Sequence, residues 1–214
     1  MKSFYSLKEN TTAWDNTGFG HATLENNTTG EKNTALGYGS LKDNISGTNN
    51  TAIGFEANNT GTNGDNNTVI GANAEPSSTT VDNEITLGDS SIATLRCQVT
   101  SITALSDARD KTEIKPLSNA TAFIKDLKPV QFDWDRRDGI SGRKKDMGFL
   151  AQDLDDAQKK HGIEDYLDIV YKENPEALEA AYGKLLPILV QALKEQQAEI
   201  DLLKKKKKEN WLIS

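Results

Sequence analysis

Ser106 and Lys111 are the pair of residues whose types and spacing suggest covalent chemistry. A serine hydroxyl becomes a nucleophile when a nearby base takes its proton, and a neutral lysine amine can be that base when burial lowers its pKa. Five residues of α-helix leave two side chains about 140° apart, so the pair would not share a helical face. They must meet through a turn, or Lys111 must come from a neighbouring copy of the chain. The competing reading is structural: Ser106 caps a helix or turn, with Asp107 and Asp110 in support.

The remaining polar residues offer less. His21 lies in a repeat turn and His161 at the expected end of a helix, and both read as surface residues. Two isolated histidines and the single Cys97 make no zinc cluster and no disulfide framework, so no metal or cofactor is expected. Glu195 and Glu199, with Lys194 and Lys204 nearby, read as the solvated face of a helix. Without a second acid–base pair or a phosphate loop beside an apolar pocket, a conventional enzyme acting on another molecule is disfavoured.

Two dissimilar halves must position the pair. The chain has 214 residues and a net charge of −7. All of that charge sits in residues 1–90, which hold 4 Lys, no Arg and 11 acids, together with 15 Asn, 15 Thr and 11 Gly. The remainder has 21 basic and 21 acidic side chains and only 3 Asn. An acidic front half argues against nucleic acid, which needs clustered Lys and Arg. No apolar run reaches the ~18 residues of a membrane span, and the polar N-terminus has no signal-peptide core.

Glycine recurs at Gly20, Gly37, Gly54, Gly71 and Gly88, 17 residues apart, each after an apolar residue (Phe19, Leu36, Ile53, Ile70, Leu87). Gly30, Gly47 and Gly64 repeat with the same spacing. A fixed period means stacked copies of one small element. Thr-Ala-Ile-Gly is a short β run, and Asn, Thr and Gly supply the turns. One large apolar residue per repeat is too little for a private core, which predicts a core shared by three chains on an axis. The Asn-x-Thr triplets read as turn residues and side-chain ladders rather than glycosylation sites, and Tyr38 and Phe55 as packing between rungs.

From residue 92 the texture changes. Residues 92–105 read as extended β, 118–127 as a helix opened by Ser118, and Val130, Phe132 and Trp134 as a strand. Residues 135–146 form a loop or hairpin, Met147 to Leu150 a strand, 151–160 a helix with Gly162 beyond it, and Tyr166 to Tyr171 a strand. A long helix starts near Pro175. In it Leu186, Leu189, Leu193, Gln196, Ile200 and Leu203 are spaced 3, 4, 3, 4, 3, a heptad seam that expects copies of itself. Lys204 to Lys208 read as a solvated helix end. The fold class is thus mixed: an all-β trimeric repeat stalk over 1–91, a β linker over 92–105, an α+β domain over 106–174, and a trimeric coiled-coil helix over 175–214.

Four motifs occur in order: Ser-Asp-x-Arg-x-Lys-x-x-Ile at 106–114, Lys128-Pro129-Val130 leading to Phe132 and Trp134, Gly148-Phe149-Leu150-Ala151-Gln152-Asp153, and Tyr182-Gly183-Lys184-Leu185 before the seam. Together they resemble the endosialidase-type intramolecular chaperone, a self-cleaving serine-peptidase domain at the C-terminus of phage tail fibres and tailspikes, over about 106–210. The resemblance implies homotrimerisation, folding of the preceding stalk, and release by autoproteolysis between Leu105 and Ser106. It makes Ser106 the nucleophile, Lys111 the base, and Asp107 and Arg109 supporting residues. Asp110 stands where many relatives carry an apolar residue. The repeats loosely resemble collar or head repeats of trimeric fibres and bacterial adhesins, which implies a virion location and a host-surface glycan or protein as the stalk's partner. The length suggests a short fibre or a C-terminal fragment. The alternative is a non-cleaving structural or adhesin protein in which the C-terminal domain is a permanent trimerisation clamp.

Overall fold

Glycine at a fixed place in every repeat lets successive turns stack closely, and the stack is the first of two separate units. A computed structural model describes residues 5–60, 63–92, 94–98, 106–135 and 145–213. The chain divides into Met1–Gln98 and Val99–Ser214.

The N-terminal unit is a parallel β-solenoid with 17-residue turns. Its strands are β1 (Thr17–Phe19), β2 (Thr34–Leu36), β3 (Thr51–Ile53), β4 (Thr68–Ile70) and β5 (Ile85–Leu87). They pair in that order, all parallel, with each residue opposite the one 17 later. In the turn after each strand, Gly20, Gly37, Gly54 and Gly71 take φ of 145°, 126°, 144° and 136°. A side chain on Gly20, Gly37 or Gly54 would also run into the backbone of the next turn's glycine. The expected need for glycine there therefore has two causes, conformation and closeness.

The expected core faces the other way. Side chains alternate along a strand, and the middle residue points inward: Ala35, Ala52 and Val69 are buried. The apolar residue before each glycine lies on the outer face, with Phe19 74% and Leu36 44% exposed. Leu24, Leu41, Ala57 and Ala74 complete the interior. The core is thin but closed within one chain, so burying it does not require sharing among three.

Asparagine supplies what apolar volume does not. Asn33, Asn50 and Asn67 are buried in register. Each side-chain oxygen accepts the backbone N–H one turn on, at 2.9 Å for Asn33 to Asn50, Asn50 to Asn67 and Asn67 to Glu84. Each side-chain amide donates to a carbonyl of the next turn, Asn33 to Gly47 at 2.8 Å and Asn50 to Gly64 at 2.8 Å. This is the expected ladder, and it gives the amides of Asn33, Asn50 and Asn67 their partners. On the outer surface, His21 stacks on Tyr38 (5.2 Å between ring centres) and Tyr38 on Phe55 (5.3 Å), the expected packing between rungs.

The C-terminal unit is α+β. After a single 3₁₀ turn (Ala108–Asp110) come α1 (Ala120–Asp126), β6 (Val130–Asp133), β7 (Lys145–Gly148), α2 (Ala151–Lys160), α3 (Glu164–Leu167), β8 (Val170–Tyr171), β9 (Glu179–Ala180), a second 3₁₀ turn (Tyr182–Leu185) and α4 (Leu186–Ile213). Two small antiparallel pairs, β6 with β7 and β8 with β9, flank a core of Phe123, Leu154, Ile169, Val170, Leu185 and Ile188. The helix expected at 151–160 is α2, with Gly162 beyond it at φ 60°.

Three expectations shift. The long helix starts at Leu186, not near Pro175, because Glu179–Ala180 pairs with β8 and the Tyr182–Leu185 turn intervenes. Pro187 sits in its first turn, where a missing N–H costs nothing. Tyr166 belongs to α3, and only Val170–Tyr171 is a strand. Residues 94–98 form no strand, and the rest of the linker, 99–105, lies outside the described residues, as does 136–144 of the expected loop.

α4 has two apolar faces. On one, Ile188 and Ala192 are buried against the core, next to Leu185 of the preceding turn. The heptad residues are open, with Leu186 64%, Leu193 66% and Leu203 58% exposed. Among the described residues no helix is long and apolar enough to cross a membrane.

Candidate functional site

The 3₁₀ turn brings the expected pair together. Asp107 caps it, its carboxylate accepting the backbone N–H of Arg109 at 2.9 Å. The tight turn reverses the path so that Lys111, at its end, reaches back. Lys111 Nζ lies 2.8 Å from Ser106 Oγ and 3.4 Å from the Ser106 carbonyl oxygen. Of the two routes open to the sequence, a turn or a neighbouring copy, the first gives this contact within one chain. Leu105 lies outside the described residues.

The neighbours organise the turn. Arg109 Nε donates to both Asp107 carboxylate oxygens, at 3.1 and 3.0 Å. These bonds from the Arg109 side chain, and then from its backbone N–H, hold the Asp107 carboxyl below its ordinary range. The guanidinium is held above its own. Charge pairing at the turn thus goes to Asp107 and Arg109, and Lys111 keeps its amine for Ser106. Residues 106–119 are exposed throughout, so water reaches both members of the pair.

Elsewhere in the unit, three of the four sequence motifs meet. Tyr182 Oη donates to the Phe149 carbonyl at 2.9 Å and accepts its N–H at 3.2 Å. The two rings pack edge to face at 5.5 Å. A groove of about 530 Å³ beside them is lined by Pro129, Val130, Met147, Gly148, Phe149 and Tyr182, among others. Lys128 is paired with Asp153 at 2.7 Å. These motif residues therefore hold β6, β7 and the second 3₁₀ turn together.

Two readings of polar residues are corrected. Glu195 is not merely a solvated helix face: its carboxylate accepts the N–H groups of Ala120 (3.2 Å) and Thr121 (2.9 Å), capping α1 from 75 residues away. Those bonds, led by that from Thr121, lower its carboxyl to about 2. Asn119, in the usual cap position, makes no side-chain cap bond. His161 is at the end of α2 as expected but is not a simple surface residue. It bonds Asp126 at 2.6 Å and packs edge-on against Phe123 at 5.5 Å. No local signal in the sequence points to either contact. His21 is exposed, as expected, within the ring stack. Among the described residues no three His, Cys, Asp or Glu side chains are placed to hold a metal ion.

Residues 106–163 match the family described as chaperone of endosialidase. The match begins at Ser106 and covers the 3₁₀ turn, α1, β6, β7 and α2, while α4 lies beyond it. No curated protein and no solved structure matches the chain.

Proposed function

We propose that the C-terminal unit assembles three copies of the chain, promotes folding of the solenoid before it, and then cuts itself away between Leu105 and Ser106. The observation that carries this reading is the 2.8 Å contact between Ser106 Oγ and Lys111 Nζ at the first residues of the family match. Lys111, as the neutral amine, takes the hydroxyl proton while Oγ attacks the Leu105 carbonyl carbon. The proton passes to the Ser106 nitrogen, the C–N bond breaks, and the acyl group remains on Oγ as an ester. Water then opens the ester, leaving a carboxylate on Leu105 and a free amine and hydroxyl on Ser106. Asp107 and Arg109 hold the turn in shape.

Trimerisation draws on the open heptad face of α4, which copies of the helix would cover. Joining three chains there raises the local concentration of their solenoids. In this reading the solenoid is a segment of a virion tail fibre that contacts a glycan or protein on the host surface.

Intact-mass analysis of the purified chain tests the cut. The expected products have 105 and 109 residues of the 214. Ser106→Ala should leave one intact chain, and Lys111→Met should slow cleavage by at least a hundredfold, since a positioned general base contributes about 10²–10⁴. An intact wild-type chain in a sample that light scattering shows to be trimeric would remove the peptidase step. It would favour the second reading, a permanent clamp, which the exposure of the Ser106–Lys111 pair supports.

A further inference from the structure

We infer that three copies of α4 enclose an anion-binding site on their common axis, built from Lys207 and Asn210 of each chain and suited to a tetrahedral oxyanion such as inorganic phosphate. The inference deepens the assembly reading above and rests on it, and no single chain holds the site.

The heptad face does not stop at Leu203. α4 runs unbroken from Leu186 to Ile213. The alternating steps of 3 and 4 that lead to Ile200 and Leu203 continue to Lys207 and then Asn210. Four residues turn a helix by about 400°, so Lys207 lies on the same side as Leu203, one turn beyond it. Ile200, Leu203, Lys207 and Asn210 are all exposed on the single chain. Helices related by a three-fold axis run parallel, and equal residues meet at equal heights. Copies that close over Ile200 and Leu203 therefore bring three Lys207 side chains together in the next layer. Three Asn210 amides follow about 4.5 Å further along the axis.

The chain supplies no counter-charge for that place. Glu209 is the one acid among residues 202–210. It lies about 200° around the helix from Lys207, on the outer side. Three ammonium groups brought together out of water are stable only with an opposite charge between them. A lysine can escape such a layer by turning its flexible stem outward. Here Lys206 and Lys208 stand about 100° to either side of Lys207, so each way out leads toward another ammonium. The donors fit an oxyanion: lysine offers N–H groups alone, and asparagine adds two more. A tetrahedral oxyanion has a three-fold axis of its own. Three of its oxygens can each face one Lys207 while the fourth points along the axis to the Asn210 amides.

Equilibrium dialysis of the full chain against radiolabelled inorganic phosphate, at constant ionic strength, tests this. Ser106→Ala serves as background so that α4 stays joined to the rest. The expected result is saturable binding of one phosphate per three chains, displaced by sulfate and not by chloride. Lys207→Leu should weaken binding at least tenfold while light scattering still finds the trimer. Lys205→Gln, which removes an equal charge from the outer side of the helix, should change it less than twofold. Binding that does not saturate, or that falls equally in the two variants, would mark a diffuse ion cloud and overturn the inference. A trimer that takes up no phosphate, or one from which chloride displaces it as well as sulfate does, would overturn it too, and each of these results leaves the assembly reading standing. A chain that light scattering finds monomeric at all concentrations, with and without phosphate, would overturn the assembly reading and this inference together.

Discussion

The two units solve the problem of a small core in opposite ways. The C-terminal unit gathers apolar side chains from distant segments, with Phe123, Leu154, Ile169 and Ile188 meeting in one cluster. The solenoid has mostly small side chains inside, Leu24 and Leu41 apart, and its buried asparagines tie each turn to the next. One core is apolar and centralised, and the other is thin and linear, shared between apolar side chains and buried amides. The contrast teaches that apolar content alone is a poor measure of whether a segment can close on itself. Directional bonds at a fixed repeat can replace volume where buried amides such as Asn33, Asn50 and Asn67 find partners one turn on.

The difference can be broken most forcefully by removing one central residue from each core. Phe123→Ala should cost about 3–5 kcal/mol and expose amides throughout the C-terminal unit. Asn50→Ala should cost about 2–4 kcal/mol, because the Gly64 carbonyl and the Asn67 N–H lose their partner. Its damage should centre on the turns around Asn50, since a stacked repeat touches only its neighbours. Hydrogen exchange reads both the size and the spread. Equal spread in the two variants would erase the distinction.

A smaller effect runs in the favourable direction. Asn58 is buried in the register of Leu24 and Leu41, and its side-chain amide has no partner among the described residues. Leucine already occupies that place at φ 50° and 51°, close to the 51° of Asn58. Asn58→Leu should therefore raise solenoid stability by about 1–2 kcal/mol, measured by denaturant midpoint. A loss would show that the polar side chain is needed there.

Acid sharpens the comparison with the smallest effect. Burial raises the Glu75 carboxyl in the solenoid above its ordinary 4.5, against bonds from Asn59 and Thr60. Its folded state binds the proton more tightly, so its contribution is full below 4.5 and fades as pH rises through the folded value. Glu195 has the opposite sign. Its contribution is full above 4.5 and is lost as pH falls toward about 2. As pH falls, acid should first favour the turn around Glu75, above 4.5, and then loosen α1 between 4.5 and about 2. Exchange rates corrected for their intrinsic pH dependence check both signs, and Glu195→Gln should flatten the response of α1.

Much of this was legible in the sequence, for identifiable reasons. The 17-residue period was visible because glycine is required at one place in every turn. Which side of the strand faces inward was not, because Thr-Ala-Ile offers a small and a large apolar residue on opposite faces and size favours the wrong one. The Ser106–Lys111 contact was legible as a choice between two routes, and the 3₁₀ turn supplies one of them. Glu195 could not be assigned as a cap from spacing, because its partners lie 74 and 75 residues away and Asn119 occupies the position where a local cap would be sought.

The asparagine ladder also makes the solenoid a ruler. Each side chain bonds a backbone group one turn on, so a segment gained or lost stays compatible with its neighbours only in whole turns. One turn is 17 residues of sequence but only about 4.8 Å of length. A stalk built this way changes reach in fixed steps, with the same residues returning to the same face at each step.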